Sequence, residues 1–129
     1  MIIDTSAIMA ILLGEEEALD FTTAMVDADQ CQVSAGSWIE IAAVMTRRNA
    51  DLNDALQNLV EQSDLQIMPV DVQQARIGHD AYRRYGRGSG HPANLNFGDC
   101  FAYALSRATG APLLFKGDDF IHTNVAIAA

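Results

Sequence analysis

The sequence predicts an α/β fold: a central parallel sheet with helical layers on both faces. Three observations carry this. Short strand-like runs (residues 1–3, 31–34, 65–70 and 112–115) alternate with longer segments of helical periodicity, the order of successive βα units. The first and last runs are apolar without polar alternation, as in strands covered on both faces. The 129 residues, half of them apolar, suffice for one core without disulfide or metal staples, so residues 1–129 are expected to form a single domain.

The elements follow in order. Met1, Ile2 and Ile3 read as a buried strand that runs into Asp4, Thr5 and Ser6. Residues 7–13 continue as an apolar helix that stops at Gly14. Glu15, Glu16 and Glu17 open a second helix, where acids suit the positive end. Residues 31–34 form a weak second strand. The next helix spans residues 37–48, with Ser37 and Glu40 at capping-box spacing. A helix over residues 50–63 and a strand over 65–70 follow. Asp71 caps a helix from Val72 to about Tyr85. Residues 86–92 are a Gly-rich arm within the domain. Asn96 and Asp99, again at capping-box spacing, open the last long helix, which ends at Gly110. Residues 112–115 are a further strand, followed by a turn carrying Asp118 and Asp119. Residues 125–127 add a short last strand.

Composition excludes several classes. The formal net charge of −9 argues against nucleic-acid affinity through bulk charge. Four of the eight basic residues nevertheless fall in one segment, at Arg76, Arg83, Arg84 and Arg87. Next to the Gly-rich arm, they are either a local basic binding site or a solvated helix face. No basic leader and no apolar run of membrane length is seen, so a soluble cytoplasmic protein with no membrane partner is expected. Cys31 and Cys100 fit no redox or zinc spacing and read as reduced core thiols.

The informative pattern is in the acids. In a parallel α/β sheet, ligands bind outside the carboxyl ends of the strands. Asp4 and the pair Asp118 and Asp119 end strands, while Glu40 and Asp99 open helices that follow strand or loop segments. All can reach one rim of the sheet. Each also has a plain capping role, and capping and ligation are compatible for one carboxylate. Gathered carboxylates raise one another's pKa, a cost that a hard divalent cation removes. Oxygen donors without thiolate or imidazole suit Mg²⁺, with Mn²⁺ as a substitute, and the usual task of such a site is phosphodiester hydrolysis.

At these residues the sequence resembles a known family, the PIN-domain ribonucleases, and within it the VapC-type toxins of bacterial toxin–antitoxin pairs. The resemblance runs over essentially the whole chain. It rests on residues 1–7 around Asp4, on Glu40 in its apolar helix, on residues 95–105 around Asp99, and on residues 113–120 with their Gly117-Asp118-Asp119-Phe120 turn. It implies a three-layer α/β/α domain and a Mg²⁺-dependent endoribonuclease. The Mg²⁺ site would be built from Asp4, Glu40, Asp99 and Asp119, with Asp118 beside it. Thr5 and Ser6 are further site candidates next to Asp4, and Arg83, Arg84 and Arg87 are candidates for holding RNA, the alternatives being a solvated helix face or a contact with the antitoxin. A homodimer and a cognate VapB-type antitoxin that blocks the site are also implied. Family members often carry an acid where this chain has Asn124, which puts a ligand role there in doubt. A receiver domain would need an acid pair after the first strand, and Asp4 has no acidic neighbour. A phosphatase with an Asp-x-Asp nucleophile fails at Ser6. The alternative to an enzyme is a PIN-fold binding module that has lost catalysis, against which all four acids are present.

Overall fold

In the computed structural model, which describes residues 1–128, four short strands form one parallel sheet. They are β1 (Ile2–Ile3), β2 (Gln32–Ser34), β3 (Gln66–Met68) and β4 (Leu113–Leu114), in the order β3-β2-β1-β4. β1 pairs with β2 at Ile2 and Gln32, and with β4 at Ile2 and Leu113. From β1 the chain steps outward on one side through β2 to β3, then returns to the other side of β1 as β4. The switch in direction therefore lies between β1 and β4, where a parallel sheet opens a crevice beyond its carboxyl ends.

Period-two alternation along the strands divides the core. Ile3, Val33 and Leu114 face one layer, where they pack with buried side chains of α1 (Thr5–Leu12), α2 (Ala18–Asp27), α3 (Ala35–Arg47) and α4 (Asn53–Ser63). Ile2 and Leu113 face the other, against α5 (Val72–Tyr85) and α6 (Asp99–Thr109), with Leu95, Phe120 and Val125. This is the expected three-layer α/β/α arrangement. Cys31 and Cys100 are buried free thiols, as expected. No helix among the described residues is long and apolar enough to cross a membrane.

Several boundaries move, each for a physical reason. α2 begins at Ala18 rather than at the glutamates, because Glu15 and Glu17 turn toward Lys116, 2.8 and 3.2 Å from its Nζ. α3 begins at Ala35. Its cap is Ser34, whose Oγ accepts the Gly36 N–H at 3.2 Å. Ser37 lies inside the helix with its hydroxyl buried and unpartnered, so the expected Ser37–Glu40 capping box does not form. α4 begins at Asn53 rather than residue 50, after Asp51 accepts the Asn53 N–H. β3 is confined to three residues. Residues 125–127 contribute one parallel bridge between Leu113 and Ile127 instead of a strand. Asp71 caps α5 as expected, accepting the Gln74 N–H at 2.8 Å.

Candidate functional site

Asp4 sits at the carboxyl end of β1. Its backbone N–H still bonds the Leu114 carbonyl at 3.0 Å, which fixes it beside the end of β4. Its side chain caps α1, with Oδ2 accepting from the Ser6 N–H at 3.0 Å and the Ser6 hydroxyl at 2.6 Å. That same hydroxyl accepts the Lys116 N–H at 3.0 Å. Ser6 thus ties the first turn of α1 to the turn after β4. Capping uses one oxygen only. Oδ1 of Asp4 is buried with no hydrogen-bond partner, and the residue is 3% exposed. A buried carboxylate oxygen without a donor is costly unless something else meets it. Thr5 is also buried, and its hydroxyl donates to the Ser37 carbonyl at 3.3 Å, joining α1 to α3.

Loss of the Ser37 cap releases Glu40. It lies one turn inside α3, with its carboxylate resting against Gly98, where a Cβ would overlap it. Gly98 has ordinary helical dihedrals, so close approach is what requires glycine there. The next residue, Asp99, opens α6. Its Oδ2 accepts the Asn96 N–H at 2.9 Å, and Asn96 Oδ1 accepts the Asp99 N–H at 2.8 Å, the reciprocal pairing that the spacing predicts. Asp119 reaches the same place from the turn after β4, which Gly117 makes possible at φ 99°. Asp4, Glu40, Asp99 and Asp119 line one cleft, together with Thr5, Ser6 and Asn96.

The electrostatics follow from this gathering. Burial raises the Asp4 pKa to about 6, against the lowering effect of the Ser6 hydrogen bonds, and the Glu40 charge adds to the rise. Burial also raises Asp99, to about 8, helped by the charges of Asp4 and then Asp119. Two carboxylates therefore hold protons at pH values where exposed ones are ionised. Among the described residues no three acids, histidines or cysteines stand close enough to enclose an ion as the side chains lie. The donor chemistry nonetheless fits a hard divalent cation. It is all oxygen, it is mutually repulsive, and it includes the unpartnered Oδ1 of Asp4.

The remaining sequence candidates lie elsewhere. Asp118 is exposed and does not line the cleft. Asn124 accepts the Tyr103 hydroxyl at 2.6 Å and is outside the cleft as well. Arg83 and Arg84 sit in the last turn of α5, 3.9 and 3.6 Å from Asp80 carboxylate oxygens. Arg83 also lines an apolar groove between α5 and α6, with Tyr82 and Phe97. None of Arg76, Arg83, Arg84 and Arg87 lines the acid cleft. Arg47 and Arg48, which sequence reasoning does not single out, do line it. Their spacing of seven and eight from Glu40 on one helix is the signal that points to them. Asn96 reads from sequence only as a cap, although it also orients Asp99.

A family model described as the PIN domain matches residues 1–126. Ribonuclease VapC42 of Mycobacterium tuberculosis is 46% identical over 126 residues, covering 97% of this chain and 96% of the relative. Ribonuclease VapC28 of the same organism is 47% identical over 126 residues, covering 97% and 95%. Among solved structures, M. tuberculosis VapC20, described as a Sarcin-Ricin loop cleaving toxin, superposes with a TM-score of 0.72 at 16% identity, over 98% of this chain and 97% of that one. A toxin-antitoxin complex from Klebsiella pneumoniae gives 0.70 at 16% identity, over 98% and 95%. These two structures speak to the fold.

Proposed function

Because the chain belongs to the PIN-domain family, we propose that it is an endoribonuclease, the toxin of a toxin–antitoxin pair, hydrolysing RNA phosphodiester bonds at the cleft of Asp4, Glu40, Asp99 and Asp119. The observation that carries the assignment of the site is the meeting of these four carboxylates beyond the switch point of the sheet, with one buried oxygen of Asp4 unpartnered. We propose Mg²⁺, or Mn²⁺ in its place, as the cofactor.

The chemistry that a bound divalent ion supplies is activation of a water and neutralisation of charge on the phosphoryl oxygens. The chain's own residues prepare for it. Ser6 occupies Oδ2 of Asp4 and leaves Oδ1 buried and without a partner. Asn96 holds one oxygen of Asp99 in the same way. The small surface of Gly98 lets Glu40 approach. Burial holds the Asp99 pKa up at about 8, so its carboxyl carries a proton at neutral pH, and with Asp4, Glu40 and Asp119 it would hold the ion. Arg83, Arg84 and Arg87 are proposed to steady the RNA backbone away from the cut. An antitoxin that directs a basic side chain into the acidic cleft would complement its charge. A homodimer is part of the same proposal, and light scattering on the purified toxin tests it.

The decisive experiment for the activity is brief expression followed by mapping of new RNA ends in total RNA. Discrete cleavage sites with the wild type that vanish with Asp99→Asn support the reading. An unchanged RNA profile overturns it.

A further inference from the structure

The cleft poses an electrostatic difficulty for its own substrate. RNA is a polyanion, the chain carries a formal net charge of −9, and the cleft is lined by Asp4, Glu15, Glu40, Asp99 and Asp119. A cation between the acids answers repulsion at the scissile phosphate only. The neighbouring phosphates need a basic contact from the cleft wall.

Three cations line the cleft: Arg47, Arg48 and Lys116. Lys116 is already engaged, 2.8 Å from Glu15 and 3.2 Å from Glu17. Arg83 and Arg84 share Asp80 outside the cleft. Arg47 and Arg48 are exposed and enter no salt bridge among the described residues. α3 sets their position. Glu40, Val44, Arg47 and Arg48 fall at spacings of four, seven and eight, one face of the helix, and all four line the cleft. At ~1.5 Å per residue, the two arginines stand ~10–12 Å along the axis from Glu40. That puts a pair of guanidinium forks beside the acids without bringing them into contact with the acids. The fork geometry suits phosphate oxygens in bidentate fashion. Arg47 also meets the negative end of α3, but that role needs one cation and gives no reason for a second to face the cleft.

We infer that Arg47 and Arg48 hold the RNA phosphates flanking the one that is cut, on the α3 side of the cleft. This rests on the ribonuclease reading above. The test uses a labelled single-stranded RNA containing one mapped cleavage site, with KM and kcat measured from 50 to 200 mM salt. Wild type, Arg47→Gln/Arg48→Gln and Arg47→Lys/Arg48→Lys are compared. Each phosphate held on a single strand contributes a slope of about −0.7 in log affinity against log salt. Releasing two should shallow the slope by about 1.4, so that wild-type affinity falls about 7-fold more than that of the glutamine variant over this range. KM should rise in the glutamine variant with kcat at saturating RNA little changed, and the lysine variant should recover the salt slope. An unchanged KM and slope in the glutamine variant overturns the inference, and does so equally if those arginines prove to bind a partner protein. Absence of cleavage by the wild type in both Mg²⁺ and Mn²⁺ is a different result, which removes the ribonuclease reading and this inference with it.

Discussion

In the presence of a chelator, stability of this protein should fall as pH rises from about 4 to about 8, and Mg²⁺ should offset part of that fall. The pKa of Asp4 rises from 3.8 to about 6, and that of Asp99 from 3.8 to about 8, in both cases chiefly by burial. A group that binds its proton more tightly when folded contributes its full stabilisation below the unfolded pKa. That contribution disappears as pH climbs through the folded value. For Asp4, a rise of about two pH units at ~1.36 kcal/mol each amounts to about 3 kcal/mol. For a domain of this length that is on the order of 10 °C in melting temperature. Asp99 acts in the same direction over a window reaching to about pH 8. Mg²⁺ binds only the folded arrangement, so at ~100 times its dissociation constant it should add roughly 2.7 kcal/mol. Asp99→Asn separates this from a capping role. The amide oxygen can still accept the Asn96 N–H, but one repelling charge is gone. With chelator at pH 8 the variant should melt as high as wild type or higher, and with Mg²⁺ it should gain much less. Thermal melts at pH 5, 6.5 and 8, with chelator and with Mg²⁺, decide the matter. A wild-type curve that is flat with pH in chelator and indifferent to Mg²⁺ would show that burial and the neighbouring acids do not hold protons on Asp4 and Asp99 in this way.

Three further outcomes are expected. Ser6→Ala removes the hydroxyl that bridges Asp4 Oδ2 and the Lys116 N–H, and should cost ~1–3 kcal/mol in denaturant unfolding, together with slower RNA cleavage. Gly98→Ala puts a methyl where the Glu40 carboxylate rests; because Gly98 is already helical, circular dichroism should stay native while cleavage falls by roughly 10²-fold. Neutralising Arg83 and Arg84 together should weaken RNA binding and shallow its salt slope by about 0.7 for each phosphate they hold, and equal binding at low salt would leave them a solvated helix end.

The layers and the sheet were legible because burial on both faces leaves a strand no choice but a continuous apolar run, as at Ile2, Ile3, Leu113 and Leu114. Asp4, Glu40, Asp99 and Asp119 were legible as acids in otherwise apolar or strand-ending contexts. What the sequence misassigned was mostly decided by distant partners. Ser34 and Ser37 both precede the apolar run of α3, and spacing to Glu40 favours Ser37. The structure favours Ser34, where β2 ends, and Gly36 follows because the Phe101 ring fills the space a Cβ would need. Glu15 and Glu17 read as helix openers because their partner, Lys116, lies about a hundred residues away. Arg47 and Arg48 carried no local signal beyond their spacing from Glu40, since two arginines at a helix end are ordinary. Only the packing of α3 beside α1 and α6 brings them to the cleft.

If Asp4, Glu40, Asp99 and Asp119 make an RNA-cleaving site that works with a divalent cation, cleavage of a defined RNA by the purified protein shows it most directly. The comparison is wild type in Mg²⁺, wild type in chelator, and Asp99→Asn in Mg²⁺. The wild type should cut at discrete positions in Mg²⁺ only, and the variant should not cut although it folds. Wild-type cutting in chelator, or a variant that cuts at the wild-type rate, would contradict a metal-dependent site at these acids.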